Sequence, residues 1–189
     1  MEDIIITRVS SEEDIRGILA LQQQNLKKNL TAEQMKTQGF LTVAHQFEAL
    51  KAMNGAEPSV IAKDGNKVVG YCLAMLPKFR NDVPELRAFF DLLDALTYGG
   101  KQLKDTNYCV MGQVCVGEGY RGISLFDKMN LHLKASLQEN YSLCVTDISK
   151  NNTRSLRAHE RVGYLPIGDF FDENLNETWI IVAWDWAIK

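Results

Sequence analysis

The period of the apolar positions changes repeatedly along this chain, and each change predicts an element. "DIIITRV" near the start is a short β-type run. Ser10 and Glu13 follow at capping-box spacing, with Ile15, Ile18, Leu19 and Leu26 at helical intervals. Residues 31–53 read as one or two shorter helices with Phe47, Leu50 and Met53 on a face. "SVIAKDGNKVVGYCLAML" predicts a hairpin turning at Asp64-Gly65-Asn66. Asp82, Pro84 and Glu85 then frame a helix start, and Leu86, Phe89, Phe90, Leu93 and Leu96 supply its apolar stripe. Beyond it the spacing predicts a strand over 107–116 and a helix over 122–138, with Phe126, Met129, Leu133 and Leu137 inward. "SLCVTDI" reads as a strand and residues 152–161 as a helix. "GYLPIGDFF" and "ETWIIVAWDW" close the chain as two strands joined by polar "DENLN". The last strand is apolar on both sides, with Trp179, Ile181 and Ala183 on one and Ile180, Val182, Trp184 and Trp186 on the other. It is therefore predicted to be covered on both faces.

The order is β-α-α-β-β-α-β-α-β-α-β-β. Hairpins are antiparallel, whereas strand–helix–strand implies a crossover and a locally parallel pair. The fold class is thus α/β (α+β), a mixed and mostly antiparallel sheet of six to seven strands with helices on both faces. At 189 residues the chain fits one domain with a substantial core, and no repeat, low-complexity tract or linker divides it.

Charge narrows the partners. A net charge of −3 and pI near 5.7 argue against a nucleic-acid backbone or an anionic membrane, both of which need a basic footprint. The N-terminal "MEDIIITRVS" lacks the basic and long apolar regions of a signal peptide, and no run approaches the roughly 18 apolar residues of a spanning helix. The reading is cytoplasmic. Cys72, Cys109, Cys115 and Cys144 all fall in apolar runs, which fits buried reduced thiols. His45, His132 and His159 show no metal-ligand spacing, so no metal is expected.

"RGISLF", residues 121–126, stands where a strand becomes a helix, the place where exposed N–H groups hold an anion. Two stretches matter together: "QVCVGEGYRGISLF", and "TDISKNNTRSLRAHERVGY" thirty-odd residues on. Together they resemble the acetyl-CoA-binding half of the GCN5-related N-acetyltransferase (GNAT) superfamily. The first signature there is a strand ending in V and a turn R-G-x-G-x-G opening a helix, read here at Val116, Arg121, Gly122, Ser124 and Phe126. The second, N-x-x-A/S with an aromatic before G-F/Y, is read at Asn152, Ser155, His159, Gly163 and Tyr164. Ser124 and Phe126 depart from the small residues of the pattern, and Phe126 is expected to turn into the core. The resemblance covers residues 107–186.

It implies one GNAT-like domain over 1–189, with an acceptor-side half at 1–106, an acetyl-CoA-binding half at 107–189, and fourth and fifth strands splayed apart. Arg121, Gly122, Ser124 and Leu125 surround the phosphates of acetyl-CoA as co-substrate. Val114 and Val116 offer backbone to the pantetheine arm, and Asn152 contacts that arm or caps the next helix. The acid that protonates the departing thiolate is a tyrosine in many relatives, and His159 takes that position. Relatives also place a base on the fourth strand, where this chain has Val110 and Gly112. A subgroup resembling the ribosomal-protein acetylators instead uses a fifth-strand acid, here Asp147. Direct attack in a ternary complex requires no covalent intermediate, so Cys115 and Cys144 are not needed as nucleophiles.

The implied activity is acetyl-CoA-dependent N-acetylation of a primary amine on a small molecule or peptide. The alternative is a coenzyme-A-binding regulatory module with little or no catalysis. A plain α/β domain holding some other phosphorylated ligand at Arg121 is a further reading. The acceptor site falls to residues 31–53, the insertion at 82–96 and "DFFDENLNE", whose Asp169, Asp172, Glu173 and Glu177 make an acidic rim or a solvated loop. Arg154, Arg157 and Arg161 form a basic helical stripe, either solvated or facing the 3′-phosphate. The apolar insertion helix reads as a lid or as a homodimer contact.

Overall fold

A computed structural model describes residues 4–173 and 175–187, so Asp3 and Asn174 lie outside the described residues. Helix α1 (Glu12–Asn25) starts at Ser11, whose hydroxyl accepts from the Asp14 N–H at 3.2 Å. The cap therefore lies one residue later than the predicted Ser10–Glu13 box, and Asp14 turns back to accept from the Ser10 N–H and hydroxyl. Ile15, Ile18 and Leu21 bury the inner stripe of α1. Residues 31–53 resolve into α2 (Ala32–Gln38), opened by a Thr31–Gln34 capping box, and α3 (Phe47–Ala56), with Leu50 and Met53 fully buried.

The main sheet has seven strands: β1 (Ile5–Arg8), β2 (Val60–Asp64), β3 (Lys67–Met75), β4 (Tyr108–Val116), β5 (Leu143–Ser149), β6 (Leu165–Asp172) and β7 (Glu177–Asp185). Their order is β1-β2-β3-β4-β5-β7-β6, with every neighbouring pair antiparallel except β4 and β5. That pair is parallel because α5 (Leu125–Leu137) forms the crossover between its strands. The insertion helix is α4 (Arg87–Ala95), led in by a 3₁₀ turn at Pro84–Leu86, and α6 (Thr153–Val162) joins β5 to β6. A two-residue ladder, Thr97–Tyr98 against Lys101–Gln102, turns at Gly99 and Gly100 and was not predicted.

Two apolar layers cover the sheet. On one face α1, α3 and α4 pack on Tyr71, Leu73, Val110, Val145, Ile181 and Ala183. On the other, α5 and α6 pack on Val69, Cys72, Cys109, Cys144, Val182 and Trp184. Strand β7 is thus covered on both faces, as its two-sided apolar pattern predicts. All four cysteines are buried free thiols.

The feature that makes the site lies between β4 and β5. Their ladder runs Tyr108–Leu143, Cys109–Cys144 and Val110–Val145, and ends there. Strand β4 continues to Val116 against β3, and β5 continues to Ser149 against β7. The strands therefore splay, leaving the facing backbone of β4 without a strand partner.

Candidate active site

The opening between the strands leads into a cleft of about 700 Å³. Val114, Val116, Arg121, Gly122, Ser124, Leu125 and Asn152 all line it, so the structure brings every predicted phosphate- and arm-facing residue into one space. At its far end the turn after β4 enters α5. Gly119 and Gly122 each have φ 83°, and Ser124 has φ 61°, a left-handed conformation costly for a side chain. These values postpone the helix from 122 to Leu125. The first intrahelical bond is Lys128 N–H to Ser124 O, which leaves the preceding N–H groups outside the ladder, at the positive end of the helix.

Two side chains here differ from expectation. Leu125 is the core residue, only 3 % exposed, whereas Phe126 is half-buried on the cleft wall and makes an edge contact with His159 at 4.9 Å between centroids. Delaying the helix start rotates its phase, and Leu125 takes the inward position. Arg121 directs its guanidinium at the protein: Nε donates to Val116 O at 3.0 Å, Nη1 to Gln38 Oε1 at 2.6 Å and Nη2 to Asn25 Oδ1 at 2.8 Å. It thereby ties the ends of β4, α2 and α1 together beneath the turn, and its partial burial lowers its pKa.

Helix α6 forms the opposite wall. Asn152 caps it by accepting from Ser155 N–H at 3.2 Å and donates to Phe40 O at 3.3 Å, so the cap also pins the segment after α2. Lys36, Arg121, Arg154, Arg157 and Arg161 line the cleft against a single acid, Asp127. Asp127 pairs with Arg161 at 2.5 Å, and Arg154 donates to Thr37 O at 3.2 Å. Free N–H groups, excess positive charge and an unpaired strand edge together fit a phosphorylated, amide-bearing molecule such as coenzyme A.

A second cavity of about 170 Å³ adjoins the first, sharing Phe40, Leu41, Val114, Asn152 and Ser155 with it. Both predicted catalytic residues, Asp147 and His159, line this cavity. Val145 belongs to the α1/α3/α4 layer, so Asp147, two positions on, faces the same side of the sheet. Burial pushes its carboxyl up to about 7, with the charge of Asp172 adding to the effect. Its proton is therefore exchangeable at neutral pH.

His159 is 2 % exposed, set between Phe126 and Tyr164. Its Nδ1 donates to Ser155 O at 2.8 Å, which leaves Nε2 of the neutral ring with a lone pair and no partner. Burial lowers its pKa to about 4. The acid role expected of His159 does not fit this ring, because at neutral pH Nε2 has no proton to give. On β4, Val110 lies in the core and Gly112 in the pocket wall, so neither supplies a base.

No family model matches the chain, and no curated relative matches it by sequence. Solved structures match over almost its whole length. A candidate GNAT-family acetyltransferase from Desulfovibrio desulfuricans is 10 % identical with a TM-score of 0.62, covering 97 % of this chain and 99 % of that one. The ribosomal-protein-S18-alanine N-acetyltransferase from Escherichia coli is 11 % identical, TM-score 0.64, covering 99 % and 96 %. YncA, a candidate acetyltransferase from Salmonella typhimurium solved with its cofactor acetyl-CoA, is 12 % identical, TM-score 0.63, covering 98 % and 95 %. The chain has the GNAT acetyltransferase fold.

Within that GNAT fold, several contributors to the site carry no sequence signature. Gln113 accepts from Tyr71 Oη at 2.6 Å and Gln22 at 3.0 Å, and donates to Val43 O at 2.9 Å, holding the α2–α3 segment beside the second cavity. Its one signal is a lone amide in the apolar run "YCVMGQVCV". Phe40 and Trp179 complete aromatic walls, and of the two only Trp179 has a place in the apolar period of the chain, as a packing residue. Among the described residues no cluster of His, Cys, Asp and Glu is arranged to hold a metal, and no helix is long and apolar enough to cross a membrane.

Proposed function

We propose that this chain is an acetyl-CoA-dependent N-acetyltransferase acting on a primary amine of a small molecule or peptide by direct attack in a ternary complex. The observation that carries the reading is the break in the β4–β5 ladder. It sets a cationic, N–H-rich helix end and a cavity walled by Asp147 side by side, with shared walls. Acetyl-CoA supplies the activated thioester. Arg121, by its three bonds, braces the turn that presents Gly122, Ser124 and Leu125 through their backbones, while Val114 and Val116 present strand edge.

An alkylammonium has a reference pKa near 10.4 and must lose a proton before it attacks. Ionised Asp147, with a carboxyl near 7, accepts that proton. Nitrogen then bonds to the thioester carbonyl carbon and gives its second proton to solvent, the carbon–sulfur bond breaks, and the thiolate takes up a proton from solvent. The products are the amide, free thiol and one net proton. His159 acts as a neutral acceptor that positions N–H groups. This geometry also favours a second reading, a coenzyme-A-binding module, since no side chain in the described cavity is set as an acid for the thiolate.

Calorimetric titration with acetyl-CoA, against adenosine 3′,5′-bisphosphate as an armless control, tests the first half. Thiol release on addition of primary amines tests the second. Arm-dependent binding with turnover is the expected outcome. Binding without turnover leaves the regulatory module, and no binding ends both readings.

A further inference from the structure

The two adjoining cavities differ in charge. The cofactor-side lobe carries five cationic side chains against one acid, as described above. The acceptor cavity holds Glu85, Asp147 and Asp172 and not one lysine or arginine among its described walls. Glu85 stands exposed at the rim, just before α4. Asp172, at the end of β6, accepts from the Leu175 N–H at 3.1 Å and lies close enough for its charge to be felt at Asp147. The walls also carry the apolar and aromatic side chains Phe89, Phe170, Trp179 and Ile148.

A second observation of different kind points the same way. His159 is 2 % exposed and its Nε2 is without a partner, although it belongs to the wall of this cavity. With Nδ1 committed to the Ser155 carbonyl, Nε2 can only accept a hydrogen bond. A buried lone pair of this kind calls for an N–H donor. The cavity thus sets three carboxylates and one buried lone pair against a single unpartnered donor, Trp179 Nε1, among apolar walls. That balance favours a molecule rich in N–H donors and cationic at both ends, with an apolar middle.

We infer that the acceptor is a dication, an alkyl diamine or polyamine. One nitrogen reaches Asp147 and His159, the methylene chain runs along the aromatic walls, and the second ammonium stands between Glu85 and Asp172. This rests on the acetyltransferase reading and narrows it. A methylene chain beside aromatic faces keeps its contacts with water removed, while both ends keep charge-assisted hydrogen bonds. A monoamine of the same length forfeits the outer half of that recognition.

The test compares kcat/KM for matched pairs: cadaverine against pentylamine, and putrescine against butylamine. Spermidine and a short peptide with a free N-terminus complete the panel. The diamine is expected to exceed its monoamine by roughly tenfold or more. That ratio should shrink when ionic strength rises from about 0.05 to 0.5 M, because the outer ammonium sits at an exposed rim. In the Glu85→Gln/Asp172→Asn double variant the same ratio should fall several-fold towards unity. The salt series on the unaltered protein gives an answer even if the double variant folds poorly. Equal kcat/KM for each matched pair, or a clear preference for the peptide, overturns this inference and leaves the acetyltransferase reading standing. Acetylation of no amine at all overturns both.

Discussion

Asp147 shows how one burial serves chemistry and works against stability. A carboxyl held near 7 is half ionised at neutral pH, which suits a base that must take a proton and release it again. The same shift has a thermodynamic sign. The folded pKa, about 7, is raised above the ordinary value of 3.8, so this group's contribution to stability is fully present below 3.8 and is lost as pH rises through 7. Above pH 7 the folded protein holds a carboxylate that the unfolded chain solvates better. Asp147→Asn removes that penalty. It should raise stability at pH 8 by about 2–4 kcal/mol, read as an increase in Tm or denaturant midpoint. Its kcat should drop by about 10²–10⁴ if the residue is the base. A variant both slower and more stable is hard to obtain from a merely structural carboxylate that makes good bonds, since losing such bonds destabilises. Unchanged turnover in Asp147→Asn sinks its assignment as base.

The helix ends decide what the elements can do, and they also mark how far the sequence could be read. The hairpin at Asp64-Gly65-Asn66, the crossover through α5 and the two-sided β7 were legible because apolar period and turn chemistry agree there. The splayed pair β4–β5 was legible only through resemblance, since both strands are mainly apolar and nothing in their period says where pairing stops. The phase of α5 was misread for a local reason. Periodicity extends back to residue 122, but the left-handed Ser124 holds the helix off until Leu125, exchanging the places of Leu125 and Phe126. Arg121 looked like a phosphate ligand because its three acceptors lie at Asn25, Gln38 and Val116, two of them more than eighty positions away. At α6 the glycine of the "GY" pair has a physical basis. Gly163 ends the helix at φ 116°, and a Cβ there would come within 2.6 Å of Trp184 Nε1. Gly163→Ala must therefore strain its backbone and displace a ring packed on Tyr164 and Trp186. The expected cost is about 2–4 kcal/mol in a chemical denaturation experiment. A cost below about 1 kcal/mol would show that the β6–β7 end of the sheet yields freely.

At the scale of the whole molecule, three buried titrating groups, His45, Asp147 and His159, have effects on stability that oppose each other. His45 lies in the segment between α2 and α3, 4 % exposed, with neither ring nitrogen partnered. Burial lowers its pKa to about 4, with Glu85 working in the other direction, and His159 is likewise lowered to about 4. Between their ordinary value of 6.5 and about 4, the unfolded chain binds two protons that the folded protein refuses. Each histidine thus contributes stability that is present above 6.5 and lost as pH falls towards 4. Asp147 runs the opposite way across most of the same window, since the folded protein holds its proton up to about 7 and the unfolded chain releases it above 3.8. Two protons against one leave a net difference of about one, so unfolding free energy should rise with pH by about 1.4 kcal/mol per unit between roughly pH 4.5 and 6. Removing Asp147 removes the opposing proton. The slope in Asp147→Asn should then approach two protons, about 2.7 kcal/mol per pH unit, even though the variant is the more stable protein at pH 8. Urea unfolding at several pH values measures both slopes directly. Parallel lines for the two proteins would mean that Asp147 titrates normally, removing the base from the mechanism and the inner anchor from the acceptor site together.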